Sequence, residues 1–423
     1  MDKKTVNLPR RRFFADTGAG IAAGAASVGL GFSNRVTAGN GPNIQTKLLV
    51  YVFLRGGMDG LSFMVPTSGP DQSAYAQARD RTYIAPTDGV LDLFGSGFGL
   101  NPNCSALHNI RNRVAFIHAC GHPENALTRS HFDAQEQIEL GTPGDQTGSE
   151  GFLARYLSNI SHDPTSVFTS MASSSNTPVS LGGYTDVATL DSPSSFSPNS
   201  SFPYADTHNI MLREMYNGAG TLDEAGLATM DAVDFINSFD LGNYQSANSS
   251  FPYPDSGFAN DLALIAQLWT LNLGISVATV DRGGWDNHTD MNPLPNNFGF
   301  GARIGDISSS LRAFYEDLAA RGRANDVAIV VQTEFGRQVS ENGNFGTDHG
   351  YGCPMLVIGG GINGGVYGSF PGIQTQQRIG DSVRPTTDFR RVHSSVIDRV
   401  MGRPDLVNDV FPGFPYTPMN FTL

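Results

Sequence analysis

The sequence predicts an α/β protein, a doubly wound, mostly parallel sheet with helices on both faces and a loop-rich insertion. Three observations carry this. Lys47–Leu54, Ile275–Asp281 and Val327–Thr333 are apolar or β-branched runs of strand length with no polar alternation, the mark of strands covered on both faces. Between them lie apolar stripes at three-to-four-residue spacing, the mark of helices packed on a sheet. The unusual polar residues follow directly after the apolar runs, where the loops of an open parallel sheet bind ligands.

Taken in order, Lys47–Leu54 reads as a central strand that turns at Arg55-Gly56-Gly57-Met58-Asp59-Gly60. Val114–His118 is a second strand. A Gly/Pro loop then leads to Ser130-His131-Phe132-Asp133, where serine followed three residues later by an acid marks a helix start. Leu262, Ile265, Leu268, Trp269 and Asn272 share one helical stripe, and Ile304, Ile307, Leu311, Phe314 and Leu318 form another. The strand Ile275–Asp281 ends in Gly283–His288, and the strand Val327–Thr333 ends at Glu334-Phe335-Gly336-Arg337. A polar loop carries Gly346–Gly350 into a last strand over 354–359. Between the halves, about 160–255, serine, asparagine and proline dominate, so this stretch reads as an insertion or cap with a helix near Met230–Phe239.

Composition narrows the function. Charged residues make up 16% of the 423 against about 25% in average soluble domains, yet 39% hydrophobic content is too much for a disordered chain. Net charge is −13 and no basic run occurs beyond the first dozen residues, which excludes a nucleic-acid partner held through its phosphates. Arg10-Arg11-Arg12 ahead of the Gly/Ala-rich stretch Ala15–Phe32, with small residues at Val36-Thr37-Ala38, resembles a twin-arginine export leader over residues 1–38. The expectation is a periplasmic or extracellular protein over 39–423, with no transmembrane anchor after leader cleavage. Cys104, Cys120 and Cys353 are too few for a disulfide framework; a Cys104–Cys120 bridge and three buried thiols both remain open.

Carboxylates mixed with imidazoles at the strand ends suit a divalent cation, whose charge offsets acids that otherwise repel. Asp59, Asp286, His288, Glu334, Asp348 and His349 are the candidate metal ligands. Each has a simpler reading: Asp59 and Asp286 as turn residues, the histidines as surface groups, Glu334 with Arg337 as a structural ion pair, Ser130 as a helix cap. Arg129 and Arg337 are candidates to grip an anionic group by paired hydrogen bonds.

Five strings together, Val52–Gly60, Ser130–Gln135, Gly284–His288, Thr333–Arg337 and Gly346–Gly350, resemble domain of unknown function family 1501 over roughly residues 47–415. That family consists of exported bacterial proteins grouped with the alkaline phosphatase and sulfatase superfamily. The resemblance implies an alkaline phosphatase-like fold. It also implies a metal-binding Asp59, a nucleophile at Ser130, a metal held by Asp286 and His288, and a closing His349. It departs where a second Asp-His pair is expected, because Glu334-Phe335 stands there, so the second metal lacks a ligand unless Asp348 or His131 substitutes. The expected activity is metal-dependent hydrolysis of an anionic phosphate or sulfate ester, with zinc, manganese or calcium as cofactor. The rival expectation is a non-catalytic binding or scaffold protein that keeps the fold and engages a cell-surface partner or polymer.

Overall fold

Strand β1 (Leu48–Leu54) shows why its sequence is apolar throughout. Leu48, Val50, Val52 and Leu54 belong to one buried cluster, while Leu49, Tyr51 and Phe53 belong to another. Successive strand side chains point to opposite faces, so a run without alternation needs cover on both sides. A computed structural model of the chain describes residues 46–423 except 164–165, 167, 191–204, 221, 225, 228–229, 232–233, 235–243 and 296–297. The leader expected over 1–38, the serine-rich run 191–201 and most of the helix expected near Met230–Phe239 lie outside the described residues.

The remaining strands are β2 (Met64–Pro66), β3 (Leu91–Asp92), β4 (Phe98–Leu100), β5 (Val114–Gly121), β6 (Ser170–Ser173) and β7 (Val187–Thr189). They continue with β8 (Val277–Arg282), β9 (Val327–Gln332), β10 (Cys353–Ile358), β11 (Gly365–Tyr367) and β12 (Thr387–Asp388). Nine form one sheet in the order β11-β5-β10-β9-β1-β8-β6-β7, with β12 also on β5. All neighbours pair in parallel except β10, which runs antiparallel to both β5 and β9. The sheet is therefore mixed and mostly parallel, as expected. A small antiparallel sheet, β2-β4-β3, stands apart.

The longer helices are α1 (Gly69–Ala78), α2 (His131–Leu140), α3 (Phe152–Ser158), α4 (Ala205–Met215), α5 (Gly257–Thr270), α6 (Gly299–Ala320) and α7 (Phe389–Ser395). The stripes predicted on α5 and α6 are buried against one face of the sheet. Each such side chain contributes about 1.5–3 kcal/mol by leaving water. Asn272 falls outside α5, with φ at 56° just past its end, a conformation asparagine tolerates better than most residues. Residues of α3 and α7 cover the other face. No helix among the described residues is long and apolar enough to cross a membrane.

Within the stretch expected to be an insertion, β6 and β7 are strands of the main sheet, β6 pairing with β8 and β7 with β6. Farther on, Tyr244 and Tyr253 donate to the buried Asp317 of α6 at 2.6 and 2.9 Å, tying the end of that stretch to the body. The cysteines are three buried free thiols, and Cys104 and Cys120 belong to clusters on opposite faces.

Candidate metal centre

The strand directions decide where polar residues meet. Because β5, β9, β1 and β8 run the same way, the segments after Gly121, Gln332, Leu54 and Arg282 emerge at one rim, and the loop entering the antiparallel β10 starts from that rim too. Close approach of these loops requires glycine at two points. A Cβ on Gly56, at φ 123°, would lie 2.6 Å from the Asp286 backbone nitrogen, and one on Gly57, at φ 71°, would lie 2.6 Å from the Phe335 ring.

Arg337 stitches the loops together. It donates to the carbonyls of Gly57 (2.6 Å), Thr347 (2.9 Å) and Trp285 (3.1 Å), and also to that of Gly56. Its Nη2 lies 2.6 Å from Asp286 Oδ1. Around that same oxygen stand three imidazole nitrogens: His288 Nε2 at 2.9 Å, His349 Nε2 at 3.1 Å and His131 Nε2 at 3.5 Å. His131, Asp286 and His349 each offer a donor atom within 4.8 Å of the other two. The buried Phe335 ring backs the group, its centroid 4.9 Å from both His131 and His349.

Each ring is held by its other nitrogen. His131 Nδ1 meets Glu334 Oε1 at 2.7 Å, His288 Nδ1 meets Asp348 Oδ1 at 2.9 Å, and His349 Nδ1 meets the Arg129 carbonyl at 2.8 Å. These partners accept, so each Nδ1 carries a proton, and Nε2 is the atom each ring turns toward Asp286. Helix α2 supports its ring by spacing: His131 and Gln135 lie one turn apart, and Gln135 donates to the same Glu334 oxygen at 2.8 Å. Gly56 N adds a third bond at 2.7 Å.

The electrostatics follow. Burial pushes the Glu334 carboxyl upward, but hydrogen bonds from His131, Gln135 and Gly56 hold it below the usual carboxylate range. Asp286, also raised by desolvation, is brought down to about 2, chiefly by Arg337. His349 lies below the ordinary imidazole range through desolvation, which keeps it neutral at pH 7. His131 is raised, first by its bond to Glu334, with desolvation opposing. Its Nε2 is buried and makes no hydrogen bond, an orphan that a cation would satisfy. The donor set, three imidazoles and a carboxylate, fits a divalent metal.

The predicted site residues therefore divide. Asp286, His288 and His349 come together. Glu334 and Asp348 turn their oxygens to the far nitrogens of His131 and His288, so they orient rings rather than stand among the donors. Asp59 is a correction of a different kind: its carboxylate makes a buried two-point ion pair with Arg79 at 3.0 and 2.8 Å and also accepts from Ser62 N and Thr347 Oγ1. No oxygen of Asp59 is left for a cation. Arg337 is likewise committed to carbonyls and Asp286, not free to grip an anion. Ser130 caps α2, its Oγ accepting from Asp133 N over a long 3.4 Å. The Arg129 side chain lies over the Tyr351 ring at 4.6 Å and reaches Ser382 Oγ at 3.4 Å. His131, named from the sequence only as a substitute ligand, is the donor that spacing alone did not rank; its signal was its place directly after the helix cap.

Asp59 gives the first testable consequence. Burial raises its carboxyl, but Arg79, Ser62 and Thr347 together hold it below the usual carboxylate range. A carboxyl depressed on folding stabilises the protein above its unfolded pKa of about 3.9 and loses that contribution as pH falls through the folded value. Urea unfolding is expected to need less denaturant at pH 3 than at pH 7, with a smaller difference in Asp59→Asn/Arg79→Met. Equal pH dependence in the two proteins would contradict the assignment.

A mixed, mostly parallel α/β sheet with an imidazole-carboxylate cluster at its rim is the class that fold and site define. The family described as "Protein of unknown function (DUF1501)" matches residues 241–389, which contain the Gly284–His288, Thr333–Arg337 and Gly346–Gly350 strings, so the family read from the motifs is the family matched. No curated protein matches the chain. Among solved structures the chain is similar to a protein in the alkaline phosphatase superfamily from Vibrio parahaemolyticus, at 11% identity over 84% of this chain and 72% of that one, TM-score 0.35. Others are a phosphonate monoester hydrolase of Agrobacterium radiobacter (10% identity, 88% and 78% covered, TM-score 0.32) and an alkaline phosphatase from the Antarctic bacterium TAB5 (13%, 76% and 95%, TM-score 0.29). At such TM-scores neither activity nor ligands transfer.

Proposed function

We propose that the chain is an exported, metal-dependent hydrolase of phosphate or sulfate esters, working outside the cytoplasm after passage by the twin-arginine route. One observation carries the reading: three imidazole Nε2 atoms converge on Asp286 Oδ1, each ring fixed from behind by an acceptor. His131, Asp286, His288 and His349 would hold the cation, which supplies positive charge to polarise the ester.

The chain's own residues supply the rest. Glu334, Asp348 and the Arg129 carbonyl keep protons on the Nδ1 atoms, so that Nε2 lone pairs face the cation. Ser130, next to His131, is the candidate nucleophile. Its weak 3.4 Å cap bond leaves the hydroxyl free to turn, and the N-terminus of the ten-residue α2 favours an anionic group beside it. Arg129, whose guanidinium makes only a 3.4 Å hydrogen bond among the described residues, is the candidate to meet non-bridging oxygens.

The test uses aryl phosphate and aryl sulfate esters with the zinc-replete protein. Hydrolysis that disappears with chelator, returns with metal and falls at least about a thousandfold in Ser130→Ala is expected. No turnover of either ester class by metal-replete protein would overturn the reading. It would favour instead a binding protein that keeps the fold, which the capping of Ser130 and the commitment of Arg337 would suit.

A further inference from the structure

We propose that the rim binds one cation, of the zinc class and tetrahedral, held by all four of His131, Asp286, His288 and His349, and that no second cation is held at Asp59. The inference shares a bound cation with the proposed function, and the donors set its number and kind.

A tetrahedral ion with bonds of 2.0–2.1 Å sets its donors roughly 3.3 Å apart. The distances from Asp286 Oδ1 to the three nitrogens, 2.9, 3.1 and 3.5 Å, bracket that value. A sharper sign is the pair His288 Nε2 and His349 Nε2, 2.9 Å apart. The Arg129 carbonyl and the Asp348 carboxylate can only accept, so both rings carry their proton on Nδ1. The two Nε2 atoms thus stand about as close together as two donors to one shared cation. His288 Nε2 thereby stands beside Asp286 and His349, two of the three donors that lie within 4.8 Å of one another.

Three nitrogens and one oxygen suit zinc, whereas calcium and magnesium take oxygen ligands. The charges also close. The three negative charges of Asp286, Glu334 and Asp348 would be offset by Arg337 and one dication. At Asp59 the positive charge is already present as Arg79: both side chains are essentially fully buried, and every face of the carboxylate is occupied by Ser62 N, Thr347 Oγ1 or the guanidinium. Within the cluster, the Asp286 and His288 side chains are the most exposed, at 48% and 40%, so an ester oxygen would have to enter on that side as a fifth ligand.

The experiment measures metal content of the full chain, zinc affinity by competition, and the visible spectrum after cobalt(II) substitution. Expected are one equivalent per chain and intense tetrahedral cobalt bands. Expected too is a loss of affinity in His131→Ala and in His288→Ala that exceeds the roughly 10–100-fold cost of losing an outer partner. Asp59→Asn/Arg79→Met, which removes both buried charges together, is expected to retain one equivalent. Two equivalents with one lost in that double variant, weak octahedral bands, unchanged affinity in His288→Ala, or no retained metal would each overturn the proposal. None of these readouts needs turnover, so an inactive protein with one tetrahedral cobalt would sink the hydrolase reading and leave this one standing.

Discussion

Asp286→Asn is expected to abolish tight zinc binding and, with it, ester hydrolysis. Its Oδ1 is the one oxygen that Arg337 Nη2 and three imidazole nitrogens share. The amide keeps the size but removes the charge, leaving a buried guanidinium beside the place a dication must enter. At effective dielectric constants typical of protein sites, like charges about 4 Å apart repel by roughly 4 kcal/mol, which is close to a thousandfold in affinity. Glu334→Gln is expected to be milder, about 10–100-fold, because Glu334 acts through the Nδ1 proton of His131 and not on the cation. Calorimetric zinc titration of both variants checks the order. Equal losses would place Glu334 among the donors, and no loss in Asp286→Asn would remove Asp286 from them.

Arg79→Met should produce the largest fall in stability, about 3–5 kcal/mol, because it strands the Asp59 carboxylate in the core. Arg79 also donates to the carbonyls of Val339 and Gln338, so its loss loosens the loop that leads to the metal centre. Replacing both charges, Asp59→Asn/Arg79→Met, should recover much of the loss, since neither charge is left buried alone. Urea unfolding midpoints of the three proteins decide it. A double variant no more stable than Arg79→Met would mean that the carbonyl bonds, not the ion pair, carry the effect.

What was legible in the sequence follows physical lines. β1, β8 and β9 were legible because a strand covered on both faces must be apolar at every position, and α5 and α6 because a helix covered on one face must repeat at three to four residues. The rim was legible because strand ends in such a sheet converge. β6 and β7 were not: Ser170–Ser173 and Val187–Thr189 are short strands of mostly small residues at one end of the sheet, bound by backbone pairing that composition does not reveal. Nor was the division of labour among the acids. Glu334 and Asp286 both follow apolar strands, and only their directions in space make one a partner of Nδ1 and the other the centre of the Nε2 cluster. Asp59 looked like a ligand because its partner, Arg79, lies twenty residues on at the end of α1, where nothing in the local pattern joins the two.

The most direct measurement is anomalous diffraction at the zinc edge from crystals of the metal-loaded protein. One strong peak per chain is expected, bounded by His131, Asp286, His288 and His349, with Arg79 still paired to Asp59. A peak seated on Asp59, or a chain with no peak at the rim, would contradict it.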